Sequence, residues 1–144
     1  MESRGFIVGS SLSYALGAGF VPLRKKGKLP FETIGHNYES EYDTECIEMH
    51  SDAISPGERI LLIDDLLATG GTAEAACALL RTTGCKLVEC AFIIELPEPG
   101  GRQRLEKQGF KVFSLTGFTE NEIQGSEDKH QDEGIKKVTR RAQP

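Results

Sequence analysis

Two adjacent carboxylates, Asp64 and Asp65, follow four aliphatic residues, Ile60-Leu61-Leu62-Ile63, and precede the run Leu66-Leu67-Ala68-Thr69-Gly70-Gly71-Thr72. An ionised aspartate is an acceptor only. Two neighbours can therefore each take one hydrogen from a pair of vicinal hydroxyls, such as those of a ribose, through charge-assisted bonds. Ala68, Thr69, Gly70, Gly71 and Thr72 lead into an alanine-rich stretch of helical character. Backbone amides at a helix start have no internal partner, and glycines there let the main chain approach a phosphate closely. Thr69 and Thr72 can add hydroxyl donors. Together these residues describe a site for a phosphorylated sugar. The Gly-x-Gly-x-x-Gly spacing of a dinucleotide fold is absent, and no lysine follows Gly71 as a nucleoside triphosphate loop requires.

The elements around this segment must deliver it to a ligand. Ser55-Pro56-Gly57 reads as a turn, Arg59 to Ile63 as a buried strand, and the stretch after Thr72 as a helix. Ala76, Leu79, Leu80 and Thr83 share one face of that helix, and Gly84 supplies its stop. Lys86 to Leu96 is a second apolar run, Arg102 to Gln108 a short charged helix, and Phe110 to Leu115 a last strand. Such alternation predicts an α/β fold with a mostly parallel sheet, whose ligands bind at the carboxyl ends of the strands. Upstream, Phe6 to Leu16 has a helical pattern closed by Gly17, and Gly19 to Leu23 reads as a buried strand leading into the basic cluster Arg24 to Lys28. Thr33 to His50 suits a two-stranded flap with a turn near Asp43.

With 144 residues and an apolar share of 38%, the chain can bury one sizeable core. We expect one domain over 1–116 and a disordered tail over 117–144. After Phe118 there are no aromatic residues, and Ile123, Ile135 and Val138 are the only large aliphatics. The basic pairs Lys136-Lys137 and Arg140-Arg141 stand among Glu127, Asp128, Asp132 and Glu133, the composition of a solvated tail. A net charge of −5 gives no support for a nucleic-acid partner. No leader or long apolar stretch points to export or a membrane, so the cytosol is the expected compartment. Cys46, Cys77, Cys85 and Cys90 are too irregularly spaced for a disulfide framework or paired zinc site and read as free thiols.

The thirteen residues Ile60 to Thr72 resemble the 5-phosphoribosyl 1-pyrophosphate signature of the type I phosphoribosyltransferases, and the Leu66-Leu67-Ala68 insert is typical of the adenine-specific branch. The resemblance runs on through Glu2-Ser3-Arg4-Gly5-Phe6, Arg24-Lys25-Lys26-Gly27-Lys28-Leu29-Pro30, Tyr38, Glu41-Tyr42, and Glu89-Cys90 to Glu95-Leu96, covering roughly Glu2 to Leu115. It implies a Rossmann-like type I phosphoribosyltransferase fold and transfer of the phosphoribosyl group to adenine, giving AMP and pyrophosphate in purine salvage. By the same resemblance Asp64 and Asp65 hold the ribose and Ala68 to Thr72 the 5′-phosphate. Arg4, Lys25, Lys28 and Tyr42 serve the pyrophosphate. Mg2+ is held mainly by substrate oxygens. Glu41 handles the adenine proton, with Arg4 and Tyr42 completing the catalytic set, and Leu96 forms part of the wall beside the base. A cytoplasmic homodimer is the family expectation. Without the resemblance, Glu41 is one acid among Glu39, Glu45 and Glu48, Leu96 is an ordinary core leucine, and Arg24 to Lys28 is a solvated loop.

The sequence departs from the family pattern in two places. Asp43 stands where the family usually has a glycine. Met1 stands directly before the pyrophosphate loop, so the resemblance implies an N-terminally truncated member lacking the hood and the first core strand. In a sheet of order 2-1-3-4-5, the strands at Gly19–Leu23 and Arg59–Ile63 would then pair directly or leave open edges. Two other readings stay open: a non-catalytic isoform or pseudoenzyme that binds the diphosphate donor or AMP, and transfer to another purine base. The Leu66-Leu67-Ala68 insert argues against the latter.

Overall fold

A computed structural model describes residues 1–39, 44–119 and 122. Helix α1 (Gly5–Leu16) stops at Gly17, whose φ of 63° places it in the left-handed region. The amides of Gly17 and Ala18 cap the carbonyls of Tyr14 and Ser13 at 3.2 and 2.9 Å. Three strands follow, β1 (Arg24–Lys25), β2 (Thr33–Glu39) and β3 (Thr44–His50), forming an antiparallel sheet in the order β1-β3-β2. The remaining strands, β4 (Arg59–Leu67), β5 (Lys86–Glu95) and β6 (Val112–Gly117), form a parallel sheet in chain order. Helix α2 (Gly71–Thr82) connects β4 to β5, and α3 (Gly101–Glu106) connects β5 to β6.

The parallel sheet reproduces the 3-4-5 portion of the expected order. Its neighbour on the other side differs from expectation. Gly19–Leu23 is not a strand: Phe20 is 43% exposed, and the segment is tied down by the Glu2 amide donating to the Leu23 carbonyl at 3.0 Å. An apolar run becomes a strand only when a ladder satisfies its amides. Among the described residues none lies alongside to pair with it, and α1 packs against β4 instead. Gly19–Leu23 and β4 therefore do not pair. β4 also runs past the expected end at Ile63 to Leu67, so Asp64 and Asp65 are strand residues. β6 likewise reaches Gly117, and the Phe118 amide donates to the Glu95 carbonyl at 3.0 Å, just past the expected domain end at 116. The rest of the expected tail, 120, 121 and 123–144, lies outside the described residues.

Small side chains make the core possible. Ala73, Ala75, Ala76 and Cys77 on α2 are buried and let the helix lie close to β2, β3, β4 and β5, while Leu79 and Leu80 fill the space between. Each fully buried leucine contributes about 2 kcal/mol. Leu62, Leu67, Phe92, Leu105, Ile47 and Met49 complete the packing. Cys77 and Cys90 are free thiols with their sulfurs 3.5 Å apart. An apolar cavity of ≈ 380 Å³ lies between α1 and β4, lined by residues including Phe6, Leu12, Phe20 and Leu61. Asp65, Arg4 and the 68–72 loop take no part in it.

Candidate functional site

The carboxylates sit near the carboxyl end of the edge strand of the parallel sheet, where α1 begins. Successive strand residues project to opposite faces, and the two aspartates accordingly have different partners. The Asp64 side chain is 13% exposed, and its Oδ1 is buried without a hydrogen-bond partner, 3.6 Å from the Met1 amine. That amine donates to the Ile63 carbonyl at 2.6 Å. Burial pushes the Asp64 carboxyl up to about 6. The amine charge and a backbone bond from Asp65 oppose the rise, and the Asp65 charge adds to it. Asp65 Oδ2 meets Arg4 Nε at 2.6 Å. The close approach depends on Gly5: a Cβ there would overlap Asp64 Oδ1 and stand 3.0 Å from the Asp64 Cα.

The phosphate loop is held by glycine packing. Gly70 caps α2 with φ 77°, and its carbonyl accepts the Glu74 amide at 2.8 Å. The loop is anchored from behind, by the Leu96 amide to the Leu67 carbonyl at 2.8 Å and the Gly101 amide to the Ala68 carbonyl at 3.0 Å. A Cβ on Gly101 would overlap the Ala68 oxygen and stand 3.0 Å from the Gly70 nitrogen, so only glycine admits this arrangement. Thr69 and Thr72 are exposed and Gly71 is half-buried. Thr72 stands close enough to the Tyr38 phenol to favour its charged form, against the larger influences that raise it. Leu96 is half-buried just past the end of β5.

The expected pyrophosphate cations are engaged with acids. Lys28 Nζ bonds Glu2 Oε1, Arg24 Nε lies 3.4 Å from Glu2 Oε2, and the Lys25 amide donates to that same oxygen at 2.8 Å. Burial is the largest single influence on the Glu2 carboxyl and raises it, but these donors together hold it below the ordinary value. Lys25 Nζ meets Glu45 Oε1 at 2.6 Å, and the Tyr38 hydroxyl donates to Glu45 Oε2 at 2.5 Å. The Lys25 bond, followed by the Tyr38 bond, lowers the Glu45 carboxyl. Burial and then the Glu45 bond raise the Tyr38 phenol. The structure thus joins Arg4 to Asp65 and links Lys25 through Glu45 to Tyr38. Glu41 and Tyr42, with the turn at Asp43, lie outside the described residues.

Sequence reasoning did not select Glu2, Gly5, Glu45 or Gly101. Glu45 stands directly opposite Tyr38 in the β2–β3 register. That pairing becomes readable once the length of the connecting turn is fixed. Gly5 and Gly101 each look like ordinary helix-start glycines, and only the closeness of another backbone reveals their role.

A phosphoribosyl transferase domain model matches residues 1–131. An adenine phosphoribosyltransferase of Nitrosospira multiformis is 60% identical over 121 residues, which are 84% of this chain and 69% of that protein. The chain belongs to the adenine phosphoribosyltransferase family. The Rhodothermus marinus adenine phosphoribosyltransferase structure superposes with a TM-score of 0.78 at 52% identity, covering 81% of this chain and 66% of that one. The Saccharomyces cerevisiae family member, solved with an imino-altritol bisphosphate and adenine, gives 0.75 at 44% identity, covering 79% of this chain and 63% of that one. The chain thus spans about two thirds of the length of these relatives. Their shared fold is the type I phosphoribosyltransferase fold, an α/β architecture with the parallel sheet seen here.

Proposed function

We propose that this chain transfers a 5-phosphoribosyl group from 5-phosphoribosyl 1-pyrophosphate to adenine, giving AMP and pyrophosphate. One observation carries the reading: the carboxylates of β4 and the glycine-built mouth of α2 form one continuous strand–loop–helix, in a chain 60% identical to a named adenine phosphoribosyltransferase. The yeast relative's adenine complex supports the choice of base. In this reading Asp64 and Asp65 accept from the ribose hydroxyls, and the amides of Ala68 to Thr72 with the Thr69 and Thr72 hydroxyls take the 5′-phosphate. Arg4, Lys25 and Lys28 exchange their carboxylate partners for the pyrophosphate. Their charges stabilise the negative charge that grows on it as the anomeric carbon becomes cationic. Glu41 takes the proton on adenine, Tyr42 helps exclude water from the reacting sugar, and Leu96 packs beside the base.

Among the described residues, no group of three or more His, Cys, Asp or Glu side chains is placed to hold a metal ion. The donor set suits Mg2+ carried by the diphosphate oxygens, with Asp64 and Asp65 as the nearby carboxylates. When bound, magnesium neutralises leaving-group charge. No described helix is long and apolar enough to cross a membrane. A cytoplasmic homodimer acting in purine salvage completes the reading.

The test pairs calorimetry, using the diphosphate donor and magnesium, with an assay of AMP formation from adenine. Binding with turnover is the expected result. Binding without turnover would instead identify a donor-binding protein, and no binding would defeat the site itself. Asp64→Ala combined with Asp65→Ala should abolish donor binding, and its survival would show the ribose to be misplaced.

A further inference from the structure

We propose that Arg104 belongs to the phosphate site, keeping the mouth of α2 receptive to an anion by neutralising Glu74 and offering its guanidinium to the phosphate beside Gly71. The inference rests on the assignment of Ala68 to Thr72 as the phosphate cradle. Glu74 lies in the first turn of α2. A carboxylate there is drawn to the same positive helix end that would take the phosphate, and its charge repels an incoming dianion. The structure removes it from competition: Arg104 Nε bonds Glu74 Oε2 and Gln108 Nε2 bonds Glu74 Oε1, so both oxygens are held by donors from α3 and the turn after it.

The Arg104 guanidinium also reaches the cradle. Its Nη1 lies 3.9 Å from the point where a Gly71 Cβ would stand, and the Thr69 hydroxyl oxygen lies 4.0 Å from the same point. Glycine leaves that space open, and a hydroxyl and a guanidinium border it. A phosphate oxygen entering there would meet both, and the planar fork of arginine suits it. The position is fixed by the Gly101 amide on the Ala68 carbonyl at 3.0 Å, which docks the start of α3 against the loop. Arg104 is three residues further along α3. A half-exposed surface ion pair would ordinarily be worth little. Its placement at the anion mouth gives this one a function.

Ribose 5-phosphate and inorganic pyrophosphate separate the two ends of the donor site. In the full chain, Arg104→Met should weaken ribose 5-phosphate binding about tenfold, the scale of one charge–phosphate contact, and leave pyrophosphate affinity within about twofold. The donor KM should rise similarly with little change in kcat. Arg104→Lys should recover most of the loss by restoring the charge, and Glu74→Gln added to Arg104→Met should recover part by removing the repulsion. Unchanged ribose 5-phosphate affinity in Arg104→Met, or an equal loss for pyrophosphate, would overturn the proposal. If that variant does not fold, Glu74→Gln alone decides: tighter ribose 5-phosphate binding supports the proposal, and unchanged binding refutes it. Failure of the unmodified chain to bind ribose 5-phosphate would instead defeat the phosphate cradle, and Arg104's role with it.

Discussion

Replacing Gly5 by alanine sets two effects of known size against each other. Glycine in a helix interior costs up to about 1 kcal/mol relative to alanine, and less at the first helical position, so propensity alone makes Gly5→Ala slightly stabilising. The new Cβ would overlap Asp64 Oδ1, stand 3.3 Å from its Cγ and 3.0 Å from its Cα. The Cα belongs to a strand paired with β5 and cannot yield, so the start of α1 must lift. Overpacking of this kind costs roughly 1–3 kcal/mol, leaving a net loss of about 1–2 kcal/mol. Gly9, in the same helix, is the internal control. Its Cβ would meet the Phe20 ring at 3.2 Å, and that ring, packed edge-on against Phe6 but 43% exposed on a segment without strand pairing, can give by the few tenths of an ångström required. Gly9→Ala should be neutral or stabilising by up to about 1 kcal/mol. Urea unfolding of both variants measures the difference, and donor calorimetry should show Gly5→Ala weakened because Asp64 is displaced. Equal stability of the two variants would refute the steric argument.

Other substitutions test other parts of the site. The Asp64 carboxyl is raised in the folded chain to about 6, so the folded state holds the extra proton between its ordinary value of 3.8 and that point. Stability should therefore fall as pH rises through this window, by at most roughly 3 kcal/mol, and Asp64→Asn should flatten that slope in urea titrations. Donor affinity, which needs the ionised carboxylate, should rise more steeply across the same window in the parent than in Asp64→Asn, whose remaining slope comes from the donor's own phosphates. Gly101→Ala places a methyl against Ala68 and Gly70 and should cost about 2–3 kcal/mol and most of the ribose 5-phosphate affinity, measured by unfolding and calorimetry. Arg102 bonds both Glu95 oxygens, at 2.8 and 2.5 Å, and its bond leads the influences that hold the Glu95 carboxyl below its ordinary value despite burial. Arg102→Met should cost about 2–3 kcal/mol near pH 7, and progressively less as pH falls below the ordinary carboxylate value of 4.5 and Glu95 gains a proton; a pH-independent loss would contradict the pairing.

What could be read from the sequence was local. Strand, loop and helix from Arg59 to Thr82 are specified by four consecutive aliphatics, two glycines and an alanine-rich stretch, each acting over a few residues. The hairpin between Thr33 and His50 was legible in its alternation. Gly19–Leu23 was misread because its apolar character is real but its hydrogen-bond ladder is a non-local property that no pattern within the segment reports. The role of Glu2 was invisible for a related reason: it acts on Lys28, 26 residues away, through a turn whose path the residues do not announce. The ion pair of Arg4 with Asp65 shows a second limit. Residue chemistry marked Asp65 and the family resemblance marked Arg4 as site candidates, but their engagement with each other follows from how α1 meets β4.

Helix α2 touches strands of both sheets, β2 and β3 of one and β4 and β5 of the other. A ligand that steadies its amino end therefore acts on strands it never reaches. Backbone amides in the β2–β3 ladder should exchange with deuterated water more slowly when the phosphate cradle is filled, because opening that ladder requires α2 to loosen its hold. The buried alanines that allow α2 to lie so close make it a mechanical bridge, so occupancy at one sheet can be sensed as rigidity in the other.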